Sequence, residues 1–190
     1  MVTPLTWRVG LNNLQADGLS ITGVTPLTWR VDFVKIYYTR KCDYMKSLSL
    51  NPYWAHCVLC GEKTIECRTW KTDYRGDLLI CSSNIPKIEG TIAGHALIVC
   101  TLSDIVPFTS EHFKDACFDE EDISYFTQNT KRAYAWKLTD FKDIIPFPIK
   151  GKLKLFDTDD NLIHYLPANL TDEQADYYFD RYFNPLFSKS

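Results

Sequence analysis

A short run of charged and aromatic residues in the first half of the chain carries the groups best suited to chemistry. Lys63, Glu66, Arg68 and Trp70 follow one another closely. An ammonium or a guanidinium can hold a phosphate, and a desolvated lysine can also act as a base. A carboxylate can accept hydrogen bonds from the edge of a nucleobase, and an indole offers a flat face on which an unpaired base can stack.

Alternating residue types around Glu66 predict a strand over about 64–70. Successive side chains of a strand point to opposite faces, so Glu66, Arg68 and Trp70 share one face. Two interpretations of Glu66 and Arg68 are equally favoured, since the two residues can form a fixed ion pair or contact a ligand.

A second group of candidates lies at a turn and at the end of the strand that follows it. Gly76 supplies a turn conformation that other residues avoid, and Tyr74 and Arg75 precede it. Arg75 either anchors this loop to a carboxylate or contacts phosphate. Ser82 and Ser83 end the next buried strand, where their hydroxyls and backbone amides can contact a phosphate or cap the loop.

The elements that must position these residues are mostly short strands. A helix beginning at Pro52 and ending at Gly61 precedes the charged strand. Further strands are predicted over about 78–81, 91–102, 133–138, 144–149 and 152–156. Trp136 lies in one of them and could face Trp70 across a bound base, although a core position is the favoured interpretation.

Two further helices are predicted near the end of the chain. An acidic helical insertion over about 110–128 begins at Ser110, with its acidic run 119–122 as a solvated face. A capping box at Thr171 begins a C-terminal helix with an aromatic stripe. Short strands with few helices favour a small β-barrel.

Composition excludes several classes of function. The 190 residues are 45% hydrophobic and 24% charged, with a net charge of -3, so a face for duplex DNA is not expected. No apolar run approaches the roughly 18 residues of a membrane span, so no membrane partner is expected. Seven cysteines and no secretory start predict free thiols in the cytoplasm. Cys57-x-x-Cys60 lacks a second pair, so neither a metal nor a cofactor is predicted.

An unchanged repeat marks the start of the chain, because VTPLTWRV at residues 2–9 recurs at 24–31. Two copies are fewer than a solenoid needs, and copies in a folded unit would diverge. The repeat therefore predicts an extension that is non-native or poorly ordered, followed by a self-sufficient domain from Met45. We expect an N-terminal extension, a main domain and a C-terminal aromatic helix packed on that domain, at residues 1–44, 45–167 and 168–190.

Two segments resemble a known family. MKSLSLNPYWAHCVLCGEKTIECRTWKTDYRGDLLICSS, at 45–83, resembles the opening of an ASCH domain, a relative of PUA, EVE and YTH domains. AYAWKLTDFKDIIPFPIKGKLKLFD, at 133–157, resembles its closing strands. The strongest elements are Gly61-x-Lys63-Thr64-x-Glu66-x-Arg68-x-Trp70 and Tyr74-Arg75-Gly76 with Ser82-Ser83. The resemblance implies an α+β, mainly β fold: a PUA-like barrel of five to six strands with flanking helices, and a ligand cleft beside the helix before Lys63.

The first predicted function is binding of single-stranded RNA or of a modified nucleoside or nucleotide. In this hypothesis Lys63, Arg68 and Arg75 hold phosphate, Trp70 stacks a base, and Glu66 reads its edge. The site residues of this hypothesis also include the following four: Tyr74, Ser82, Ser83 and Trp136. The oligomeric state is left open.

The second predicted function is hydrolysis, which the resemblance also implies: some ASCH proteins resemble amidohydrolases that deacetylate acetylcytidine with a lysine, a threonine and a glutamate, and others act as ribonucleases. Lys63 matches that lysine, but Glu66 occupies the motif position of the threonine. Lys63 and Glu66 could together perform general acid–base catalysis. A third alternative is a protein-interaction module, since the aromatic residues of the C-terminal helix exceed what one packed face needs.

Overall fold

A mixed six-stranded sheet organises the part of the chain that the computed structural model describes, residues 43–130 and 132–187. Its strands are β1 (Tyr44–Leu50), β2 (Ile65–Arg68), β3 (Gly76–Ser82), β4 (His95–Pro107), β5 (Tyr134–Pro148) and β6 (Phe156–Asp159). The spatial order is β2-β5-β4-β3-β1-β6. β1 runs parallel to β3, and the other neighbours are antiparallel. This confirms the predicted α+β, mainly β class and is consistent with a barrel-like PUA fold, although hydrogen bonding does not close the sheet.

β3 is one of the two central strands, and it is buried on both faces. Leu78 and Ile80 belong to the cluster that contains Trp136. Leu79 and Cys81 alternate with them and belong to a second cluster on the other face. A continuous apolar run is what a strand covered on both sides requires, whereas strict alternation would leave one face to water.

The predicted helix before the charged strand is present as α1 (Pro52–Leu59). The Asn51 side chain accepts a hydrogen bond from the Tyr53 amide at its N-terminus. Gly61, at φ +74°, reverses the chain just beyond the helix. The backbone can therefore leave α1 and enter β2 within a few residues, and this turn carries Lys63.

The predicted acidic helix is displaced. Ser110–His112 form only one 3₁₀ turn, and the true helix, α2, covers Glu120–Asn129. Asp119 caps α2 by accepting a hydrogen bond from the Asp122 amide. The acidic run therefore begins the helix, where carboxylates interact favourably with the helix dipole, instead of forming a face along it.

Three of the predicted strands also need correction. The strands predicted at 133–138 and 144–149 are one strand, β5, whose pairing with β4 shifts register three times. Such bulges bend a strand without ending it, which explains why the sequence pattern looked interrupted. The strand predicted over 152–156 begins only at Phe156, because 149–155 form a loop.

The C-terminal helix begins at the predicted capping box. Thr171 accepts from the Gln174 amide, α3 covers Asp172–Tyr178, and a π-helical turn continues over Phe179–Phe183. Phe183 lies in the main core cluster. None of the helices in the described residues is long and apolar enough to span a membrane. The duplicated segment and nearly all of the predicted N-terminal extension lie outside the described residues.

The turn at Gly61 provides a test of the local fold. Gly61→Ala should lower the free energy of unfolding by about 1–2 kcal/mol, because a Cβ disfavours the left-handed backbone conformation. No atom lies within 4 Å of a Cβ built there, so the cost should be conformational alone. Asparagine tolerates this conformation better than alanine does, so Gly61→Asn should lower the free energy of unfolding by less, as measured by urea denaturation. Equal losses for both variants would contradict this origin.

Candidate functional site

A buried ammonium group lies at the beginning of β2. Lys63 is 1% exposed, and its Nζ donates a hydrogen bond of 2.7 Å to the Ala116 carbonyl oxygen. The same Nζ lies 3.4 Å from Glu66 Oε2 and 4.8 Å from the centroid of the Trp54 ring. Hydrogen bonding, ion pairing and a cation–π contact together offset the cost of removing this charge from water.

Glu66 joins Lys63 to a second cation. Its other carboxylate oxygen, Oε1, lies 3.0 Å from Arg68 Nε, although that N–H is not directed well enough for a hydrogen bond. Arg68 Nη2 donates to the Ser49 carbonyl oxygen at 2.9 Å. We call Lys63, Glu66 and Arg68 the ionic triad. The predicted shared strand face thus brings Glu66 and Arg68 together, and the predicted ion pair is present.

Arg68 lines a cleft of about 880 Å³ between the ends of several strands. The other lining residues come from the end of β1 and the residue after it, from the loop between β3 and β4, and from the end of β5 and the loop that follows it: Ser49, Leu50, Asn51, Ser83, Asn84, Ile85, Gly94, Pro148, Ile149, Lys150, Gly151, Lys152 and Leu153. We call this space the basic cleft, because the described residues that line it include three cationic side chains and no carboxylate.

The floor of the basic cleft is tightly closed. Ser49 Oγ is buried and has no hydrogen-bond partner among the described residues. A Cβ added to Gly151 would lie 2.3 Å from that oxygen, so only glycine allows the loop to pass this close. The approach brings the backbone at Lys150 and Lys152 to the same residue that accepts the Arg68 hydrogen bond, so all three cations line one cleft.

Lys63 and Glu66 open on a different space. Together with Trp54 and Cys67 they line a pocket of about 190 Å³ that α2 also borders. Burial, followed by the nearby Glu66 carboxylate, raises the pKa of the Cys67 thiol to about 11. The thiol is therefore protonated at neutral pH and is a poor nucleophile there.

Trp70 and Trp136 contact each other and do not line the basic cleft. Trp136 is fully buried, its ring centroid lies 4.7 Å from that of Trp70 in an edge-on arrangement, and its Nε1 donates to the Trp70 carbonyl oxygen at 3.2 Å. Tyr74 donates its hydroxyl to the Asp77 carbonyl oxygen. The structure thus places all three rings in or against the core.

The remaining predicted site residues divide between the loop and the cleft. Arg75 Nη1 donates to the carbonyl oxygens of Thr72 and Tyr74, and its Nη2 lies 3.7 Å from Asp104, which is the geometry of a loop anchor. Ser82 is buried behind the cleft. Ser83 lines the cleft and donates its hydroxyl to the Ile85 carbonyl oxygen at 2.9 Å.

Sequence reasoning missed the two lysines and the two asparagines that line the basic cleft. Lys150 and Lys152 occur in the lysine-rich stretch IKGKLK, whose second lysine begins the strand predicted over 152–156. The glycine between the lysines was the available signal, because a glycine flanked by cations favours a loop that approaches an anion. Asn51 fits the N-cap of α1, which gives no sign of a cleft, and Asn84 belongs to no sequence pattern.

Parts of this chain match known proteins. A family model for the ASCH domain matches residues 48–147, which include the ionic triad. A crystal structure of ASCH from Zymomonas mobilis aligns with 76% of this chain and 96% of its own, at 18% identity and a TM-score of 0.49. Crystal structures of two mutants of that protein, one with tyrosine replaced by phenylalanine and one with serine replaced by alanine, each align with 72% of this chain, and the alignments cover 97% and 94% of the mutant chains. Their identities are 18% and 17%, and their TM-scores are 0.48 and 0.47. No curated protein sequence matches the chain.

The ionic triad predicts an asymmetric response to substitution. Glu66→Gln keeps the side-chain shape but leaves the Lys63 ammonium buried without its counter-charge, so the free energy of unfolding should fall by about 3–5 kcal/mol. Adding Lys63→Met to the same variant should recover part of that loss, because it removes the uncompensated charge. Urea denaturation of the single and double variants measures both effects. A double variant less stable than Glu66→Gln alone would contradict the account.

Proposed function

This chain belongs to the ASCH domain family, and from the charge of its basic cleft we propose that it binds single-stranded RNA or a modified nucleotide. One observation carries the proposal. Among the residues that the structure describes, three cations and no carboxylate line a cleft of about 880 Å³, in a chain whose net charge is -3. A concave surface of one sign concentrates ligands of the opposite sign, and the phosphates of a nucleic acid are such ligands.

The three cations are suited to different parts of phosphate binding. Arg68 is held in place by Glu66 and by the Ser49 carbonyl, so its planar guanidinium can donate hydrogen bonds to phosphate oxygens in a defined direction. Lys150 and Lys152 are exposed and act as adaptable point charges. Lys63 contributes indirectly, because it holds the Glu66 carboxylate that in turn positions Arg68.

The proposal differs in detail from the one reached from the sequence. Lys63 and Glu66 position Arg68 and do not themselves hold phosphate or read a base. Arg75 anchors a loop, and the rings of Trp70, Tyr74 and Trp136 stabilise the core. Asn84 is exposed at the cleft and makes no hydrogen bond within the described residues, so its amide is available to a base edge.

A hydrolase remains the second candidate, and one observation favours it. The Lys63 ammonium and the Glu66 carboxylate, 3.4 Å apart, both line the pocket of about 190 Å³. A buried pair of opposite charge can transfer protons to and from a small substrate group that enters the pocket. A cytoplasmic location, which suits either function, stays a prediction.

RNA binding is tested with a matched pair of charge variants. Replacing Lys150 and Lys152 together by Gln should weaken binding of a short single-stranded RNA on the order of tenfold at 0.1 M salt. The slope of log Kd against log salt should fall by about 0.7 for each lysine removed. Fluorescence anisotropy measures both quantities. Replacing the exposed Lys71 and Lys114 by Gln, which removes the same charge outside the cleft, should leave both almost unchanged.

Catalysis is tested in the same samples. Mass spectrometry of acetylated cytidine and of RNA incubated with the protein reports any product. We expect binding without turnover. Turnover that disappears in a folded Lys63→Met variant, but persists when Lys150 and Lys152 are replaced, would favour the hydrolase. Equal loss of RNA affinity in the cleft and control lysine variants would contradict the basic cleft as the binding site.

A further inference from the structure

Two aliphatic side chains beside the basic cleft are unusually exposed. Leu153 is 96% exposed and Ile85 is 80% exposed, the highest values among the large hydrophobic residues that the structure describes. Both side chains line the basic cleft. A single exposed leucine on a protein surface needs no explanation, but two on one charged cleft form an apolar surface next to an anion-binding one.

Separate loops carry the two residues, and both loops are tied to the floor of the cleft. Ile85 follows β3, where its carbonyl oxygen accepts the Ser83 hydroxyl. Leu153 follows Lys152 in the loop that Gly151 brings against Ser49. The Ser83 amide donates to the Leu50 carbonyl oxygen and Arg68 donates to the Ser49 carbonyl oxygen, so both loops and the guanidinium contact the end of β1.

The basic cleft has no aromatic side chain among its described lining residues, although stacking on aromatic rings is the usual way to bind an unpaired base. Trp70 and Trp136 are occupied by their contact with each other. The apolar side chains available to cover the faces of a base beside the three cations are therefore the aliphatic ones among the described lining residues.

We propose that Ile85 and Leu153 hold a nucleobase between them by its flat faces, while Arg68, Lys150 and Lys152 hold the adjoining phosphate. This proposal rests on the proposed function and specifies how its ligand binds. The ligand must combine an anionic group with an apolar one, and a nucleotide combines them within a single residue. Contacts to the faces of a base do not distinguish one base from another. Ile85 and Leu153 should therefore raise the affinity for a strand that carries bases, whatever their sequence.

The test compares two ligands on three proteins. The ligands are a short single-stranded RNA and a ribose-phosphate strand of equal length that lacks bases. The proteins are the full chain, the double variant Ile85→Ser with Leu153→Ser, and a control, Leu162→Ser, which replaces a half-exposed leucine that does not line the cleft. The replaced cleft side chains are mostly in water, so the double variant should fold, which circular dichroism checks.

The full chain should bind the RNA about tenfold more tightly than the strand without bases. The double variant should lose this preference while keeping the same affinity for the strand without bases, and Leu162→Ser should behave as the full chain does. A double variant that keeps the preference would overturn the base contact and leave the proposed function intact. Binding of neither strand by the full chain would overturn both.

A competition arm separates a nucleotide from an acidic protein segment. A peptide of alternating glutamate and leucine offers the same combination of negative charge and apolar surface. We expect it to displace the RNA weakly. Displacement at concentrations comparable to those of unlabelled RNA, lost in the Ile85→Ser and Leu153→Ser double variant, would assign the aliphatic pair to a protein partner and overturn the nucleobase assignment.

Discussion

The need to neutralise one buried ammonium group connects much of this structure. Lys63 cannot be solvated where it lies, so the protein must supply a carbonyl oxygen, a carboxylate and an aromatic face within a few ångströms. These partners come from three separate parts of the chain. Ala116 precedes α2, Glu66 lies in β2, and Trp54 lies in α1. Any shift of one part would leave a charge unpaired in the interior, and this penalty helps to hold the three parts together.

The same interaction extends outward to the cleft. Glu66 has two carboxylate oxygens, and it directs one to the buried Lys63 and the other to the half-buried Arg68. A guanidinium held in this way loses little further side-chain freedom when it meets an anion, and so retains more of the interaction energy than a freely moving arginine would. The ionic triad can thus serve stability at its inner end and recognition at its outer end.

Local rules predicted some parts of this arrangement well. A glycine after the helix and a proline at its start were enough to place α1. Alternation around Glu66 was enough to put Glu66 and Arg68 on one face. These features depend on neighbours a few residues away, so the sequence reports them.

The burial of Lys63 depends on Ala116, 53 residues further along the chain, and no local pattern reports such a partner. The roles of Lys150 and Lys152 were missed for the same reason, since the return of the chain after β5 brings them to Arg68. The start of the acidic helix was wrong because a run of carboxylates suits either a solvated face or a helix N-terminus, and only the cap at Asp119 distinguishes them.

The pairing of the first described strand with the last gives the cleft a particular place in the order of folding. β1 pairs with β6, and Ser47 shares a buried hydrogen bond with Thr158, 111 residues later. The loop with Lys150 and Lys152 lies immediately before β6, so it is anchored on that side only once this distant pairing forms. On a ribosome, α1 and the hairpin of β3 and β4 have emerged long before that strand is synthesised. Contacts that close such long loops are slow to form, so in a nascent chain the basic cleft is completed well after most of the core residues are available.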